Sequence, residues 1–207
     1  MNRPSLTRVI AVAIAATAVA ATGLEAQTTT SAARTAVLPA SLAAHTARAA
    51  APRTAAPSID DPAIVGIFDA ANTWDINLGQ LALKKSHNEK VRTFADMMVR
   101  DHSAVRKLGR DLAKKLNVTP TAPAKDFALS KDYVATRAKL QAESGAKFDK
   151  DYMDHEVWYH QAVIDAVTTT LLPATKNAEL KALEVKVAPN FQAHLAAAKE
   201  IQQQLEK

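Results

Sequence analysis

Four side chains able to bind a metal stand where apolar residues are expected. Asp75, His102, His160 and His194 each interrupt a run of apolar residues spaced three and four apart, the spacing that gathers side chains on one buried helix face. The clearest run is Val91, Ala95, Met98, His102, Val105, Gly109, Leu112 and Leu116. Asp75 falls between Ala71 and Leu78, His160 between Val157 and Ile164, and His194 between Phe191 and Ala198. A buried imidazole or carboxylate needs a partner. Three imidazoles and a carboxylate suit one transition metal ion, Zn, Cu or Fe, held between facing helices. They equally suit a metal-free cluster in which the imidazoles bond to one another, to Asp75 or to Tyr hydroxyls and respond to mildly acidic pH. Residue types alone leave both readings open.

Other chemistries find less support. The chain has no cysteine, which removes disulfides, thiolate ligands and a cysteine nucleophile. A carboxylate-bridged di-iron bundle needs paired Glu-x-x-His motifs, yet Lys84, Val99, Tyr152, Val157 and Phe191 stand three residues before His87, His102, His155, His160 and His194. No glycine-rich phosphate loop or nucleophile elbow is present. Ser103 beside His102 on one helix does not make a triad. No catalytic residue is therefore assigned, and an enzyme is not the expected reading. A hydrolytic or redox use of the same site would need an open coordination position. Glu156, four residues before His160, is placed to orient that ring. Asp101 reads as part of a solvated face, Asp151 and His155 as a helix pair, and Trp74, Tyr152, Trp158 and Tyr159 as packing residues.

The elements that must carry these residues are helices. Few glycines and abundant Ala, Leu, Lys and Gln favour an all-α domain. The acidic-proline start at Asp61-Pro62 opens a helix over 61–86, and a short link at His87-Asn88 turns it back into a second over 89–117. The Thr119-Pro120-Thr121-Ala122-Pro123 breaker precedes a connecting helix over 125–143, with Gly145 expected as its C-cap. A helix over 146–171 should stop before Pro173, and the last, over 176–205, should contain a possible kink at Pro189. From these starts Asp75, His102 and His160 lie at similar mid-helix depths, with His194 a few residues further along. The expected architecture is an up-down four-helix bundle with an extra connecting helix between the second and third core helices.

Residues 1–26 place Arg3 and Arg8 ahead of an apolar run and end in small residues, the pattern of a signal peptide. The apolar run is shorter than the ~20 residues of a spanning helix. The mature chain is thus expected to be periplasmic or secreted, peripherally associated with the envelope at most, and without a transmembrane span. Residues 27–60, rich in Ala, Thr and Pro, read as a disordered tether containing His45, and 61–207 as the bundle domain. Basic residues number 26 against 21 acidic, a formal charge of +5. This excess is spread along the chain without interleaved aromatics, which argues against nucleic acid. A metal ion, an envelope partner or a second copy of the chain are the partners left.

The segments Asp75-Ile-Asn-Leu-Gly-Gln-Leu-Ala82, Val91-Arg-Thr-Phe-Ala-Asp-Met-Met-Val-Arg-Asp-His-Ser103 and Ser144-Gly-Ala-Lys-Phe-Asp-Lys-Asp-Tyr152, with His160-Gln161 and His194-Leu195, resemble the bacterial family catalogued as domain of unknown function 4142. The resemblance covers about residues 61 to 205. It implies an exported, ferritin-like helical bundle of the kind often labelled an outer-membrane protein, and it implies no reaction. In the family pattern the position held here by Asp75 is usually Glu.

Overall fold

Side-chain caps set where the helices begin. Asp60 accepts a hydrogen bond from the Ala63 amide at 3.0 Å and Pro62 occupies the first turn of α1, Asp61–Lys85. Asn88 likewise accepts from Lys90 and Val91 at the head of α2, Glu89–Lys115. Asn177 accepts from Glu179 and Leu180 at the head of α6, Ala178–Leu205. Each such cap is worth about 0.5–2 kcal/mol. Between them lie α3, Ala128–Ala142, α4, Gly145–Ala166, a π-helical segment Val167–Leu171 and the short α5, Leu172–Ala174. The structure is a computed structural model and describes residues 59–207. The expected signal segment, most of the expected tether and His45 lie outside the described residues. Among the described residues there is no strand, and no helix is long and apolar enough to cross a membrane.

Two expected helix ends differ. The helix carrying His160 does not stop before Pro173; it widens into the π segment, where the Leu172 amide donates to the Val167 carbonyl, and continues through Pro173. A π turn removes the ordinary i→i−4 geometry that a proline ring obstructs, so the helix absorbs the residue. Gly145 does not cap α3. Glu143 does so with extended dihedrals, and Gly145, at φ 60°, forms the first residue of α4. In α6 the helix runs through Pro189 without interruption.

End-to-end contacts fix the directions. The Asp61 carboxylate accepts from the Lys176 and Asn177 amides, both at 2.9 Å, joining the start of α1 to the start of α6. Lys85, at the end of α1, donates to the Leu140 carbonyl at 3.0 Å and lies over the Phe148 ring near the start of α4. Thus α1, α3 and α6 run one way and α2 and α4 the other. The four long helices run up, down, down, up rather than in the expected up-down alternation, because α3 carries the chain back along the outside. α1 packs on α2, α2 on α6, α6 on α4 and α4 on α1. One end of the ring holds Leu78, Phe94, Met98, Phe148, Tyr152 and Met153, all buried, each large apolar side chain contributing about 1.5–3 kcal/mol. The other holds Ile64, Val65, Val167, Leu171 and Leu180.

The loop between α2 and α3 closes over the start of α1, with the Thr121 amide donating to the Pro62 carbonyl at 2.9 Å. A Cβ at Gly66 would meet the Thr121 carbonyl oxygen at 1.8 Å. Glycine stands inside a helix here because only a hydrogen lets the loop come that close.

Candidate metal centre

Asp75, His102, His160 and His194 come from α1, α2, α4 and α6 and are 1–3 % exposed. The observed helix starts bring them level: His194 lies sixteen residues after the first residue of α6, against fourteen for Asp75 in α1, thirteen for His102 in α2 and fifteen for His160 in α4. The expected axial offset of His194 largely disappears because its helix begins later than residue 176. Ring centroids are 5.2 Å apart for His102 and His194, 5.4 Å for His160 and His194 and 5.6 Å for His102 and His160.

All three rings obey one rule. His102 Nδ1 donates to Asn72 Oδ1 at 2.9 Å, an orientation secured by Asn72 Nδ2 donating to the Phe68 carbonyl at 2.7 Å. His160 Nδ1 donates to the Glu156 carbonyl at 3.0 Å, and His194 Nε2 donates to Asp101 Oδ2 at 3.1 Å. Each acceptor takes the ring proton on one nitrogen and leaves a lone pair on the other. Those other nitrogens, His102 Nε2, His160 Nε2 and His194 Nδ1, are buried with no hydrogen-bond partner. One ring nitrogen of each imidazole lies within 4.8 Å of those of the other two. Ligands about 2.1 Å from a central ion stand about 3–4 Å apart, so a small contraction would close a coordination shell.

A second group, Asp75, Glu156 and His160, satisfies the same spacing. His160 belongs to both groups. Asp75 Oδ2 is 3.4 Å from His102 Nε2 without the geometry of a hydrogen bond. Asp75 Oδ1 and both Glu156 carboxylate oxygens are buried without a hydrogen-bond partner, Glu156 Oε2 standing 3.4 Å from His160 Nδ1. A cluster of this kind is costly as it stands, because each unsatisfied buried polar atom loses its hydration.

The electrostatics carry the same strain. Burial first, and then the Glu156 carboxylate, push Asp75 well above the usual carboxylate range. Burial, reinforced by His160 and His194, holds His102 well below the ordinary imidazole value. His194 is lowered by burial and His160, with Asp101 opposing. Burial opposes protonation of His160 too, but the Glu156 and Asp75 carboxylates outweigh it and raise that ring. Two carboxylates and a divalent ion sum to zero charge among three neutral imidazoles. That balance suits an interior which penalises uncompensated charge.

Three contributors escaped the sequence reading. Glu156, expected only to orient His160, is fully buried and stands among the ligand-competent carboxylates; its spacing of four from His160 was the available signal. Asp101, expected on a solvated face, holds His194 from 27 % side-chain exposure and is itself paired with Arg100. Burial alone would raise Asp101, but bonds from Arg100 and His194 lower it overall. Asn72, one turn before Asp75, gave no sequence signal at all. Asp151 pairs with Lys139 and Lys147, while His155 lies 3.6 Å from Asp132 instead. Tyr159 donates to the Ala71 carbonyl at 3.2 Å, and Tyr152 is fully buried beside Phe94 and Phe148.

A family model described as "Domain of unknown function (DUF4142)" matches residues 43–201. No curated protein and no solved structure matches the chain.

Proposed function

The chain belongs to the DUF4142 family, and from that premise we propose that it is a ferritin-like bundle of the cell envelope that holds one divalent first-row transition ion. His102, His160 and His194 supply nitrogen and Asp75 and Glu156 supply oxygen. The observation that carries this reading is the shared wiring of the three imidazoles: each has one nitrogen tied to an outer acceptor and the other buried and unpartnered. Metal-ligating histidines are held in this way, because the outer bond fixes both tautomer and ring direction. The role is metal handling or protection of the envelope against metal stress, with export by the segment at residues 1–26. Elemental analysis of the full chain, purified without chelator, is expected to give about one ion per chain, and His102→Ala is expected to lose it. No metal in either, with reconstitution also failing, would overturn the proposal.

A second reading is favoured by the depressed His102 and His194: a metal-free module whose buried cluster takes up protons in mild acid and loosens the bundle. It differs in requiring no ion, and the same metal analysis separates the two.

A further inference from the structure

Beside the centre lies a cavity of about 30 Å³ whose wall is almost wholly hydrocarbon. Ala71, Leu129, Val163 and Ala166 form much of that wall, and Asp75 and His102 bound it on the side of the cluster. A single water needs roughly 10–15 Å³ and two to four polar partners. The cavity exceeds that volume but, once an ion is bound, does not offer the partners. Asn72, which also borders it, spends its amide on Phe68 and His102. Only Asp75 and His102 bring unpartnered polar atoms, and both are spent once an ion is bound.

We propose that this cavity is a binding site for one small apolar molecule, the size of a diatomic gas, held against the Asp75 and His102 side of the centre. Apolar voids of this kind stay dry and take up apolar guests. Two further features fit such a use. Val167 and Leu171, the first and last residues of the π segment, both line the cavity, and π turns inside α-helices often accompany functional sites. Ile67 and Phe127, also in the lining, are only half-buried, which gives the cavity a side nearest solvent that is distinct from the Asp101 and His194 side of the cluster. A guest in the cavity therefore approaches the centre without crossing the hydrogen bond between Asp101 and His194. That the guest meets an ion, and that the cavity stays free of water, both rest on the metal reading.

The probe is xenon, applied under pressure to the full chain with and without metal and read by methyl NMR. Saturable shifts are expected at the Leu129, Val163, Val167 and Leu171 methyls, with none at Val134 or Leu205, which do not line the cavity. Ala166→Leu fills the space and should abolish the shifts. Ala71→Val, a smaller change, should weaken them several-fold if the leucine variant fails to fold. Absence of xenon shifts in both metal states, or equal shifts at the distant methyls, would overturn the proposal. Metal content measured on the same samples decides the metal reading separately.

Discussion

Replacing His160 with alanine is expected to reduce metal affinity by more than about a hundredfold, the upper end of what loss of an outer hydrogen-bond partner costs. His160 is the one residue common to both ligand-competent groups, and its free Nε2 is buried. No neighbouring nitrogen can replace it. His155→Ala is the matching control, since His155 is just as buried, at 1 % exposure, on the same helix, yet it pairs with Asp132 on α3 and belongs to neither group. That variant is expected to lose some stability and keep the ion. Titration of both variants against a chromogenic chelator, with helical content checked by circular dichroism, measures the difference. Equal affinity in the two would mean that the ion sits elsewhere.

The second large effect is on the metal-free protein, whose stability is expected to fall as pH drops from about 6.5 towards 5. His102 and His194 are held below the ordinary imidazole value of about 6.5 by burial and by neighbouring imidazoles. As the pH falls through this window the unfolded rings take up protons more readily than the folded ones, so each ring contributes stability above about pH 6.5 that is lost on acidification. Asp75 acts in the opposite sense. Its raised value means that the folded carboxyl takes a proton the unfolded one does not, a contribution lost as pH rises. His160, raised, acts in that opposite sense too, its contribution present below the ordinary imidazole value and lost as pH rises beyond it. The two depressed rings are expected to outweigh the raised carboxyl, so the net direction is a loss of stability on acidification. Urea midpoints at pH 7 and pH 5.5 in the presence of chelator would show it. A midpoint that stays level or rises on acidification would contradict the assigned directions. Added metal should deepen the pH dependence, because protons and the ion compete for the same lone pairs.

The sequence was most legible where one physical rule dominated. Asp75, His102, His160 and His194 stood out because a polar side chain on a three-four apolar spacing has to be buried, and the structure brings all four together. The starts of α1 and α2 were readable from Asp61-Pro62 and the His87-Asn88 link because these signals are local, whereas the Asn177 cap puts the start of α6 two residues later than expected. What escaped depended on side chains reaching between helices. Glu156 lies one residue from the apparent apolar line through Val157, but α4 packs against α3 on one side and α6 on the other, which buries a wider face than one stripe. Asp101 diverges from His102 around α2 and so reaches His194 on α6, a contact that only the helix-helix geometry reveals. Asn72 acts through an amide across α1 and α2, and the wide π turn before Pro173 reflects a backbone accommodation that proline's usual helix-breaking behaviour would not suggest.

The most direct test of the account is anomalous diffraction from crystals of the full chain loaded with one equivalent of Zn²⁺, collected on both sides of the metal edge. The account predicts a single strong peak about 2.0–2.2 Å from His102 Nε2, His160 Nε2 and His194 Nδ1, with Asp75 or Glu156 oxygen completing the shell. A map with no peak among the three imidazoles, or with zinc only at surface carboxylates, would contradict it and leave the cluster as a metal-free polar core.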